Sequence, residues 1–95
     1  MLVQLDVPTT ILSGVKTVTT SGTEVTLGSG VCKSVTIKAL STNTGFIYVG
    51  GAQVSSANGF QLQARETVSL DISNLGVIWI DCSVSGEGVS YIAVF

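Results

Sequence analysis

The sequence contains no histidine, so the side chain most often used as a general base near neutral pH, and the usual ligand of a catalytic zinc, are both missing. Charge is scarce: 11% of residues are Asp, Glu, Lys or Arg, against ~25% in an ordinary soluble domain, and the formal net charge is −2. The four cations, Lys16, Lys33, Lys38 and Arg65, are dispersed, which excludes the clustered basic patch that releases counterions from a nucleic acid. Apolar runs are only a few residues long, too short to span a bilayer. The start, MLVQLDVPTT, has neither a basic nor an apolar leader region, so the chain is expected to stay in the cytosol. The acids offer no better chemistry. Asp71 and Asp81 fall on alternating, solvent-side strand positions, and adding Glu87 does not reproduce the clustered acidic spacing of a calcium loop. No enzyme activity, metal, cofactor or small-molecule substrate is expected.

The two cysteines, Cys32 and Cys82, are fifty residues apart and form no CxxC pair. Parity puts Cys32 on a face with Ser34, Thr36 and Lys38, and Cys82 on a face with Ile78 and Ile80. One points outward and the other inward, which predicts two thiols. Proline occurs once, at Pro8, where a missing N–H suits the end of an edge strand or a free arm. Ninety-five residues make a single domain, 1–95, with residues 1–14 as an N-terminal arm or edge strand. A domain of this size buries only roughly 60–65% of its unfolded surface, so self-association would add to its stability.

What is present is β-structure. In SVTIKALSTNTGFIYVGG, from Ser34 to Gly51, Val35, Ile37 and Ala39 alternate with Ser34, Thr36 and Lys38; a polar STNTG turn follows, then a second strand. Met1 to Val7 also alternates, and Thr9 to Gly14 reads as a connection. Val15–Thr20 and Thr23–Leu27 read as strands joined at Ser21-Gly22. Gly28-Ser29-Gly30 is a turn, because a strand and not a helix follows it. Asn58-Gly59 marks another. Phe60, Leu62 and Ala64 share one face, as do Val68, Leu70 and Ile72. VIWIDC, from Val77 to Cys82, is the most continuously apolar strand and belongs at the centre of a sandwich. Ser83–Gly88 is a turn and VSYIAVF the last strand. About eight short strands without a helical period predict an all-β fold, an antiparallel, jelly-roll-like β-sandwich.

Six residues stand out as candidate interface positions. Trp79 shares its face with Val77 and Asp81, at a rim or contact. Arg65-Glu66 is a solvated turn or an intersubunit ion pair, and the STNTG turn carries Asn43 as a contact with neighbours. Tyr48 and Tyr91, with Trp79, are aromatics suited to stacking.

The segments SVTIKALSTNTGFIYVGG, SSANGF, ETVSLDI and GEGVSYIAVF resemble small tailed-bacteriophage virion proteins, the capsid decoration or cement proteins of phage heads. The likeness covers Lys33 to Phe95, and this chain has Arg65-Glu66 where the pattern has Gly-Glu. It implies a β-sandwich or jelly roll, a homotrimer bound to the major capsid protein, a place on the capsid surface after assembly in the host cytoplasm, and no catalytic residues. A receptor- or glycan-binding domain of a phage fibre or spike, stacking sugars on Tyr48, Trp79 and Tyr91, is the alternative.

Overall fold

The computed structural model describes residues 7–95, so the expected strand at Met1 to Val7 lies almost wholly outside the described residues. Eight strands follow: β1 (Ile11–Thr17), β2 (Val25–Thr26), β3 (Ser34–Ala39), β4 (Ile47–Gly50), β5 (Phe60–Leu62), β6 (Thr67–Leu70), β7 (Trp79–Cys82) and β8 (Gly88–Val94). A single 3-10 turn at Leu75–Val77 is capped by Asn74, whose side chain accepts from the Gly76 amide at 2.7 Å.

The strands form two four-stranded antiparallel sheets, ordered β1-β8-β3-β6 and β2-β7-β4-β5. The pairing has a simple rule. β1 pairs with β8, β2 with β7, β3 with β6 and β4 with β5, as in one long hairpin whose tip is the β4–β5 connection. Rolling that ribbon sends successive pairs to opposite sheets, and the extra pairs β3·β8 and β4·β7 complete each sheet. This is the eight-stranded jelly roll that the strand count and spacing predict.

Period-2 alternation places the core. Val35, Ile37, Ala39, Val89 and Ala93 of the first sheet face Ile47, Val49, Leu62, Ile80 and Cys82 of the second. Val18, Leu27, Leu75 and Ile78 close the ends. Val35 lies opposite Leu70, and Ile37 opposite Val68, so the expected packing of these rows is a cross-strand one. β7 lies inside its sheet, as its apolar run predicts. Val77, however, belongs to the 3-10 turn and is exposed.

Local hairpins are the main departure. Val15–Thr20 and Thr23–Leu27 are not partners, because β1 and β2 lie in different sheets. Between them the chain crosses over: Val18 is fully buried, its amide donates to Glu87 O, and its carbonyl accepts from Gly86 N, so the β7–β8 turn takes the bonds a hairpin would use. Ser34 to Gly51 behaves likewise, with β3 and β4 in opposite sheets and STNTG as the crossover. Thr9 to Gly14 is not all connection, since β1 starts at Ile11. Positive φ occurs at Gly22, Gly30 and Gly86 and, among other residues, at Gln53 and Arg65, but not at Asn58-Gly59.

Candidate functional site

The two ends of the sandwich differ. One gathers the connections 18–24, 40–46, 63–66 and 83–87. Here Asn43, Arg65 and Glu66 come together, as the register of β3 against β6 requires. The Arg65 amide donates to Ala39 O at 2.9 Å, and the Ala39 amide to Glu66 O at 3.0 Å. Both turn residues are exposed, and Glu66 Oε1 accepts from the Gln63 amide at 2.7 Å, closing a solvated turn. Asn43 is buried instead: its Nδ2 donates to Gly88 O at 2.8 Å and its Oδ1 accepts from Gly88 N at 3.3 Å. Its side chain joins two connections within the chain.

Glu87 ties the STNTG turn down from the other side. Its carboxylate accepts from the Thr44 amide at 2.6 Å, the Gly45 amide at 2.9 Å and Thr44 Oγ1 at 2.9 Å. These bonds, the Thr44 amide foremost, hold the Glu87 carboxyl below the ordinary glutamate range.

Tyr48 and Trp79 lie on the outer face of the second sheet, where Tyr48 is opposite Asp81 and Trp79 opposite Gly50. Loops cover part of this face. Tyr48 is only 7% exposed, because the 51–59 connection folds onto it and brings Gly59 against its Cβ. Asp81 is not a solvent-side carboxylate: it is 2% exposed, with Oδ1 accepting from Gly22 N at 3.0 Å and from Cys82 N at 2.8 Å. The crossover after β1 lies over it, a contact that strand parity alone does not reveal. Trp79 is half-buried on this face.

Tyr91 is turned the other way. It lies on the inner face of β8, opposite Gly14 and Ile37, and packs against the core. A Cβ on Gly14 would stand 2.7 Å from its hydroxyl, so the absence of a side chain there makes room for the ring. Of the three aromatics expected to stack on a ligand, Tyr48 and Tyr91 are thus occupied inside the fold.

Both cysteines are buried thiols. Cys32 does not point outward as strand parity predicts, because it precedes β3 at a bend where Val31 bridges to Asn74 and the Cys32 amide donates to Ser73 O. Its Sγ donates to Ile72 O at 3.1 Å, while Cys82 Sγ lies 3.8 Å from Val18 O. Burial pushes both thiols above their ordinary value, and at Cys82 the Asp81 and Glu87 charges add to it. Such thiols are poor nucleophiles. Among the described residues no three His, Cys, Asp or Glu side chains gather where they could hold a metal ion.

The surfaces most suited to recognition are apolar ones absent from the sequence candidates. On the outer face of the first sheet, Ile11 and Val15 of β1 are 68% and 63% exposed, and Ile92 of β8 is 47% exposed. Around them stand Ser13, Ser90, Thr36, Ser69 and Thr67, with a Thr36–Ser69 hydroxyl bond of 2.8 Å and Lys38 as the one charged side chain that the strands place there. Parity in VSYIAVF separates Ile92 and Val94 from Val89, Tyr91 and Ala93, and that was the available signal; which face looks outward required the second sheet. Between the open sheet edges a groove of about 450 Å³ is lined by Val49, Val68, Leu70, Ile72 and Ile78, with exposed Phe60 and Val77 at its rim. Phe60 therefore shares the inward face expected for it, yet sits at the mouth of this groove. No family model, curated protein or solved structure matches this chain.

Proposed function

We propose that this chain is a non-enzymatic virion structural protein of a tailed bacteriophage, a capsid decoration or cement protein that binds the major capsid protein lattice on the outside of the head. The resemblance of Lys33 to Phe95 to such proteins motivates the reading, and one observation carries it: the broad outer face of the first sheet, where Ile11, Val15 and Ile92 are exposed among Ser and Thr and the described strands place one charged side chain, Lys38. The cores of protein interfaces are depleted in charge and enriched in well-packed apolar groups, and a flat strand surface of this kind suits a repeating protein lattice. Preferential binding to the assembled shell would stabilise it by mass action. The glycan-binding alternative has no comparable support, because Tyr48 is buried and Tyr91 packs against the core.

The test is addition of the purified protein to capsids that lack it. Co-sedimentation with the shells and a higher temperature of capsid disruption are expected, with both effects lost in Ile92→Glu. Absence of binding, or binding that leaves heat resistance unchanged, defeats the cement role.

A further inference from the structure

We propose that the outer edge of β1, with which no described strand pairs, is a self-association edge, on which β1 of a second copy pairs antiparallel about a two-fold axis at Ser13 and joins the two β1-β8-β3-β6 sheets into one. The hydrogen bonds to β8 fix which groups are available. Thr10 and Phe95 exchange both backbone bonds, at 2.7 and 2.9 Å, and the Val18 amide donates to Glu87 O at 2.9 Å. In an antiparallel ladder the bonded residues alternate, so Leu12, Gly14 and Lys16 face β8. Ile11, Ser13, Val15 and Thr17 turn their amides and carbonyls outward, where no described residue pairs with them.

Among the described strands this edge is unlike the others. β2 has two residues, β5 three and β6 four, whereas β1 has seven. The outward positions of β6 are Thr67 and Ser69, followed by Asp71; those of β1 carry no charge. Of the usual protections of an edge, β1 carries one, Lys16, on the face opposite Ile11 and Val15, and its outward positions carry no lysine, proline or bulge. The residues that present the free backbone also present exposed Ile11 and Val15 beside Ile92, so edge and apolar face form one continuous corner.

The occupant that fits this corner is another copy of it. With Ser13 opposite Ser13 of the second copy, Ile11 stands opposite Val15 and Val15 opposite Ile11, which gives two β-branched apolar pairs flanking the axis. Each Lys16 then faces Thr10, which keeps the two like charges apart. Every outward donor meets an outward acceptor, and the contact is isologous. Pairing with β6 of another copy would overlap only four residues and set Ile11 and Val15 against Thr, Ser and Asp. Two edge strands alone bury less than the ~1,200 Å² of a standard interface, so the dimer is concentration-dependent.

The experiment is sedimentation of the full chain across a concentration series. Conversion of monomer to dimer is expected. Ser13→Pro removes an N–H that β8 does not use, and Val15→Lys places charge on the edge; both should remain monomeric at every concentration with an unchanged circular dichroism spectrum. Ser13→Cys should cross-link into a covalent dimer with a short bis-maleimide, since Cα atoms of a hydrogen-bonded antiparallel pair stand ~5.5 Å apart, within the span of such a reagent. A wild-type chain that stays monomeric or forms trimers, a folded Val15→Lys that dimerises like the wild type, or a Ser13→Cys that fails to cross-link would overturn the proposal.

Discussion

Asn43, buried in the 40–46 connection, bonds both backbone groups of Gly88, whose carbonyl also accepts from the Leu40 amide. Asn43→Ala is expected to lower stability by about 1–3 kcal/mol, the cost of a buried donor left without its partner, measurable as a shift of the urea midpoint at constant slope. Arg65 sits at φ +73°, a left-handed conformation that side chains other than glycine adopt at a cost. Arg65→Gly should raise stability by about 0.5–1 kcal/mol, and Arg65→Val should lower it by at least as much, both read from thermal unfolding. Glu87 predicts a pH dependence. Its folded value lies below its ordinary 4.5, so its stabilisation is present above that value and is lost as pH falls through the folded one. Glu87→Gln should lower stability at neutral pH and flatten the acid limb of the stability curve below pH 4.5.

At the scale of elements, parity explains most strand interiors and fails at strand ends. β3 and β8 alternate as read from the sequence, with Val35, Ile37 and Ala39 against Ala93, Tyr91 and Val89. Cys32 breaks the rule because a bend separates it from β3; Asp81 keeps its outer face but is covered there by a crossover from elsewhere in the chain. Gly14 is a further case. Nothing local distinguishes it from a turn glycine, yet it makes room for the Tyr91 ring across the β1–β8 ladder, as an edge glycine covered by an aromatic does. Gly14→Ala places a methyl group against that ring, and the Tyr91 side chain must shift to accept it.

The molecule as a whole is built from pairings between distant parts of the chain. β1 needs β8 and β2 needs β7; among the described strands, β4 and β5 alone are joined as a local hairpin. Such topologies form their long loops before most contacts can stabilise them, and fold slowly. Refolding is expected in milliseconds to seconds, with Trp79 fluorescence and far-ultraviolet circular dichroism following one time course, because the core is a single cluster shared by both sheets. Truncation before Gly88 should abolish folding outright, since β8 separates β1 from β3 in its sheet.

The sequence by itself determined the all-β class, the approximate strand count and most inward rows, because side-chain alternation has a period of two and needs no partner to be seen. It also marked Arg65-Glu66 as a turn, which the two exposed residues and their backbone bonds to Ala39 form. Only the tertiary structure decided which strands pair, since turn residues such as Ser21-Gly22 and STNTG are the same whether the chain reverses within a sheet or crosses to the other one. For the same reason it alone showed that Asn43, Tyr48 and Asp81 are covered and that Ile11, Val15 and Ile92 are exposed. Parity divides a strand into two faces, and the choice of which face meets water belongs to the sheet packed against it.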